Sequence, residues 1–97
     1  SPEQDRRLDE IEAAFAERRA PLEAEVRQAN AELSAAIAAS QGETPEVQAA
    51  VDHFHTAMGD LQMATIRHVF EMRAGLTPRQ AEEFDRAVVE TLRADAD

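Results

Sequence analysis

Apolar positions recur along this chain at steps of three and four, the period of a helix face packed on a neighbour. Over the first 40 residues the stripe is Leu8, Ile11, Phe15, Arg18, Leu22, then Val26, Ala29, Leu33 and Ile37. Its halves join through consecutive steps of four beside Pro21, where a lost N–H should bend a helix. A second stripe runs Val47, Val51, Phe54, Met58, Leu61, Thr65, His68 and Met72, an unbroken a/d seam. Met63, Ile66 and Phe70 form another stripe on that segment, so it calls for two neighbours. A short last stripe holds Ala81, Phe84, Val88 and Leu92. Strand-like alternation is never sustained.

The punctuation agrees. Ser1-Pro2-Glu3-Gln4 and Thr77-Pro78-Arg79-Gln80 each place a hydroxyl cap before proline, with Gln three residues on. Both fit a capping box, in which Gln reaches back to the cap. Thr44-Pro45-Glu46 is a third start, while Gly42 and Gly75 are available for left-handed C-caps. The spacing predicts helices at 2–39, 45–74 and 78–94, with the terminal Ala94-Asp95-Ala96-Asp97 fraying. The first would be roughly 55 Å long. The fold class is all-α: two long helices in an antiparallel hairpin plus a short C-terminal helix, in one domain spanning 1–97.

Composition sharpens this picture. Of the 43% apolar residues, 20 are alanines, which form helices readily but bury little area. A thin core follows, and with it the expectation of a homodimer. Twenty acidic residues against ten arginines give a net charge of −10, which argues against nucleic acid and anionic membrane surfaces as partners. Without cysteine there is no disulfide, thiolate site or cysteine nucleophile. No apolar run approaches the roughly 20 residues that span a bilayer. No catalytic constellation or phosphate loop is present, and no enzymatic activity is expected. A chain opening on Ser1 rather than Met is expected to be a piece of a longer product.

Folding the chain back at Gly42 pairs residues whose numbers add to about 84. Met72 then lies level with Glu12, and His68 level with Ala16. His68 and Met72, four apart, share the face turned to the first helix. Glu12 sits at the edge of that seam. Carboxylate oxygen, imidazole nitrogen and thioether sulfur so converge at the open end, a donor set suited to Co, Ni, Cu or Zn. Plain packing would explain Met72 as well, a core histidine His68, and a solvated charge Glu12. His53 and His55, two apart, point to different faces and are taken with Asp52 as a solvated cluster. The mixed-sign runs Asp5-Arg6-Arg7, Glu17-Arg18-Arg19 and Glu82-Glu83-Phe84-Asp85-Arg86 suggest exposed faces with i,i+4 pairs.

The segment Gly59 to Leu76, with Ile66-Arg67-His68-Val69-Phe70-Glu71-Met72 at its heart, resembles the CnrX-like family of periplasmic cobalt/nickel sensors. Phe15-Ala16-Glu17-Arg18-Arg19 and Ala29-Asn30 are similar too, and the likeness covers nearly the whole chain. Leu76-Thr77-Pro78-Arg79-Gln80 matches the LTxxQ signature of the wider Spy, CpxP and ZraP group. The resemblance implies a dimeric hooked hairpin in the periplasm, with nickel or cobalt, or alternatively zinc or copper, held by Glu12, His68 and Met72. It further implies two histidines of an HxxxH helix ahead of Ser1, absent from this chain, and a membrane anti-sigma factor as signalling partner. Any membrane link would run through an N-terminal anchor missing here. A Spy-like periplasmic chaperone is the rival expectation.

Overall fold

The computed structural model describes residues 1–96. Three helices follow in order: α1 (Pro2–Ala39), α2 (Pro45–Ala74) and α3 (Pro78–Ala96). The starts fall where the hydroxyl-proline motifs predict them. Ser1 Oγ accepts the Gln4 N–H (3.1 Å), Thr44 Oγ1 the Val47 N–H (3.2 Å) and Thr77 Oγ1 the Gln80 N–H (3.3 Å). Each bond satisfies one N–H that a helix start leaves open. α3 extends to Ala96 rather than ending at 94, so Ala94–Ala96 are helical; Asp97 lies outside the described residues.

One capping box is reciprocal and the other is not. Gln80 Oε1 accepts the Thr77 N–H at 3.0 Å, completing its box. The Gln4 side chain does not reach back to Ser1. Its amide instead donates to the Gly75 carbonyl (3.0 Å) and to Gln80 Oε1 (2.8 Å). The Gln4 amide N–H thus meets a part-buried carbonyl at the end of α2, and the start of α1 is tied to the elbow before α3.

α1 and α2 pack against each other as the antiparallel hairpin, and α3 hooks off its open end in a molecule of 59 × 29 × 14 Å. This is the all-α hooked hairpin expected. α1 runs through Pro21 as one helix. At the closed end, Gly42 has φ +157°, a conformation that side chains rarely adopt, and the Ser40 and Thr44 hydroxyls lie 3.3 Å apart. Gly75 departs from expectation: its φ is −86°, so it is no left-handed cap, and its N–H closes on the Met72 carbonyl at 3.2 Å. At the elbow, Arg73 Nε donates to both Asp85 oxygens (2.9 and 3.1 Å).

The core is as thin as the alanine content implies: Phe15, Ala29, Ala50, Ala57 and Ala81 are the buried apolar residues. The α2 seam is rotated from the expected one. Ala57 is buried and Ala64 half-buried, while Met58 is 43% exposed and Thr65 is exposed. Alanines let the helix axes approach closely, so the contact line follows the small residues and leaves the longer Met58 at its margin. Ile37 is displaced in the same way, 58% exposed beside half-buried Ala36. Met63 and Phe70, of the second α2 stripe, face outward at 50% and 64% exposure. Of the charged runs, only Arg19–Glu23 (3.4 Å) gives an i,i+4 pair among the described residues; Arg18–Glu71 (3.4 Å) and Arg73–Asp85 join different helices.

Candidate metal centre

The hairpin's open half sets Glu12 of α1 against His68 of α2. Leu8, Ile11 and Phe15 turn α1 towards α2, and Glu12 is next to Ile11 on the edge of that face. His68 Nε2 lies 3.2 Å from Glu12 Oε1 across 56 positions of sequence. The His68 side chain is only 12% exposed, whereas the Glu12 side chain is 57% exposed. The imidazole is therefore a fixed donor and the carboxylate a movable one.

Phe15 does the fixing. Its ring and that of His68 are stacked, with centroids 4.0 Å apart and planes 6° from parallel. Arg19 and Arg18 approach the Phe15 ring, with guanidinium carbons 5.4 and 6.0 Å from its centroid, a cation–π arrangement. On the inner side, His68 Nδ1 is buried and has no hydrogen-bond partner. With Nε2–H donating to Glu12, that leaves a bare acceptor inside the protein, a cost a purely structural residue would shed. The ring is placed for the benefit of Nε2.

Met72 is half-buried one helical turn beyond His68 on the same face. The structure thus brings two of the three expected ligands into contact and sets the third on the adjoining turn. Among the described residues no group of three or more His, Asp or Glu side chains is arranged to hold a metal ion. Carboxylate oxygen and imidazole nitrogen facing each other fit a borderline divalent cation, with a thioether as a weak soft addition. They leave coordination positions for further ligands.

Sequence reasoning missed the strongest polar contact in the hairpin. His53 lies near the surface as expected, but its partners are on α1 rather than His55 and Asp52. Its Nε2 meets Glu25 Oε1 at 2.5 Å and its Nδ1 meets Glu32 Oε2 at 2.7 Å, while His55 and Asp52 stay exposed. The hydrogen bond to Glu32 first, then that to Glu25, raises the His53 pKa above its ordinary 6.5. Glu32 is lowered in turn, by the His53 bond and then by Gln28. The fold-back register held part of the signal: position 31 is level with 53, with Glu32 next to it and Glu25 six residues before it. The two carboxylates lie against opposite nitrogens of one ring, so they cannot join that ring in chelating a single ion.

The comparison with known proteins gives the chain's family. The model of the heavy-metal resistance family matches residues 1–83. The chain belongs to the heavy-metal resistance family. A curated relative in that setting is the nickel and cobalt resistance protein CnrR of Cupriavidus metallidurans. It is 49% identical over 86 residues, which are 89% of this chain and 58% of that protein. The chain thus spans less than two thirds of the relative's length. Membership of the heavy-metal resistance family bears out the CnrX-like resemblance carried by the His68 segment.

Proposed function

We propose that this chain is a periplasmic sensor domain for nickel or cobalt, with zinc and copper as competitors, acting in heavy-metal resistance. The observation that carries the proposal is His68 Nε2 facing Glu12 Oε1 at 3.2 Å, on a ring stacked against Phe15. Glu12 supplies oxygen, His68 nitrogen and Met72 sulfur. The metal draws the α1 and α2 ends together and favours one packing over another by no more than its difference in affinity for the two. Metal and protons compete for an imidazole nitrogen, so binding weakens as the solution is acidified.

The outward Met63 and Phe70 support assembly with a second copy, since a monomer gains nothing by exposing them. In the proposed pathway the dimer reports to a membrane anti-sigma factor. No helix among the described residues is long and apolar enough to cross a membrane. Binding, not catalysis, is the proposed activity.

Calorimetry with Ni²⁺ and Co²⁺ tests this directly. Wild type should bind, Met72→Leu should bind more weakly, and Glu12→Gln and His68→Ala should lose at least tenfold in affinity, about 1.4 kcal/mol. Equal binding by wild type and His68→Ala removes the site. Suppression of client aggregation at stoichiometric ratio without metal would favour the chaperone reading instead.

A further inference from the structure

Near the closed end the fully buried residues are all alanines, Ala29, Ala50 and Ala57. The larger Val26, Leu33, Val47, Val51 and Phe54 are only half-buried, and Ile37 and Met58 are 58% and 43% exposed. With alanines at the centre of the contact and no large side chain fully buried to act as a knob, apolar packing specifies the register of this half weakly. The polar contact between the two helices there is His53 with Glu25 and Glu32. Those acids are seven residues apart, two helical turns or about 10 Å along α1. A ring gripping both fixes α1 in the axial direction and not merely sideways.

A neutral imidazole has one N–H and can donate to one carboxylate. The second would then face a nitrogen lone pair at hydrogen-bond distance, which is repulsive. Occupation of both nitrogens by carboxylates therefore requires the doubly protonated ring. The groups facing His53 are few. From α1 they are Glu25, Glu32 and the neutral Gln28, which donates to Glu32 at 3.3 Å. On α2 the residues three and four away are Ala49, Ala50, Thr56 and Ala57, while Asp52 and His55 lie on other faces. α3 packs on α2 at the opposite, open end.

We propose that Glu25, His53 and Glu32 form a proton-operated register pin, which holds the alanine-packed half of the hairpin in one axial alignment while His53 carries two protons and releases it when one is lost. The hydrogen bonds to Glu32 and Glu25 raise the His53 pKa and so place the release above the ordinary 6.5. The pin lies 15 residues from His68, about 22 Å along α2, and does not depend on metal binding.

Two measurements on the metal-free protein decide it. In an NMR titration of the histidine rings, His53 should lose its second ring proton above the ordinary 6.5. Nitroxide labels at Ala35→Cys and Ala49→Cys, both exposed positions on facing helices, report the register by their distance distribution. It should be narrow at about pH 6 and broaden by about pH 9. With His53→Gln it should be broad at both. His53 titrating at or below the ordinary 6.5 would overturn the proposal even if the variant fails to fold. So would a distribution unchanged by pH and by His53→Gln.

Discussion

His68 lies flat on Phe15, centroids 4.0 Å apart, with Nε2 towards Glu12 and Nδ1 buried without a partner. The ring is held in a position that suits a ligand more than the fold. A buried acceptor left unpaired costs about 1–3 kcal/mol. His68→Leu keeps an apolar surface against Phe15 and removes that acceptor. Its loss of the exposed Glu12 contact is small by comparison, since a largely solvated pair contributes little. The metal-free variant should unfold at higher denaturant than wild type, by about 1 kcal/mol or more, while losing metal binding. Chemical denaturation of both proteins checks the sign. A less stable variant would mean that Nδ1 is satisfied in solution.

The closed-end and elbow glycines make an internal contrast. Gly42 has φ +157°, and open space surrounds the position a Cβ would take. Gly75 has φ −86°, with the Met72 carbonyl, Leu8 and Arg7 at ordinary contact distances of 3.6, 3.8 and 3.9 Å from such a Cβ. Backbone strain, not crowding, therefore decides the outcome. Gly42→Ala should destabilise by about 1–2 kcal/mol and Gly75→Ala by less than about 0.5 kcal/mol. Thermal melts of the two variants side by side provide the comparison.

Much of the scaffold was legible because its signals are local. Ser1, Thr44 and Thr77 with their following prolines mark three helix starts through bonds spanning three residues. The short link through Gly42 forces the antiparallel return, and that alone brings residue 12 near residue 68. What was illegible depends on the distance between helix axes. Ala57 and Ala64 displace Met58 and Thr65 from the seam because small side chains let the backbones close up, while a hydrophobic pattern weights large ones. His53 was judged against His55 on its own helix, but its partners are on the other. Gln4 carries the pattern of a cap residue and uses the same amide to reach across to Gly75 and Gln80.

That crossing contact ties α3 to the hairpin. Gln4→Ala removes two hydrogen bonds and leaves the Gly75 carbonyl to solvent, while Ser1 still caps α1. Gln80→Ala removes one of those bonds and the acceptor of the Thr77 N–H, leaving the Thr77 hydroxyl cap in place. Each bond contributes about 0.5–1.5 kcal/mol. Hydrogen exchange should accelerate throughout α3 in both variants, more so in Gln80→Ala, with α2 protected as in wild type up to the elbow. Uniform acceleration over all three helices would show instead that α3 is an integral part of the core.

Acid and base act on the His53 clasp from opposite sides. His53 has a raised folded pKa, so its contribution is fully present below the ordinary 6.5 and is lost as pH rises through the raised value. Glu32 has a lowered folded pKa, so its contribution is fully present above the ordinary 4.5 and is lost as pH falls through the lowered value. Between 4.5 and 6.5 both are in force. The melting midpoint of wild type minus that of Glu32→Gln should be largest in that interval and shrink on either side. Added salt should reduce the difference throughout, since the groups are near the surface. A difference that stays level across the whole range would assign Glu32 to packing and the clasp to neither protonation state.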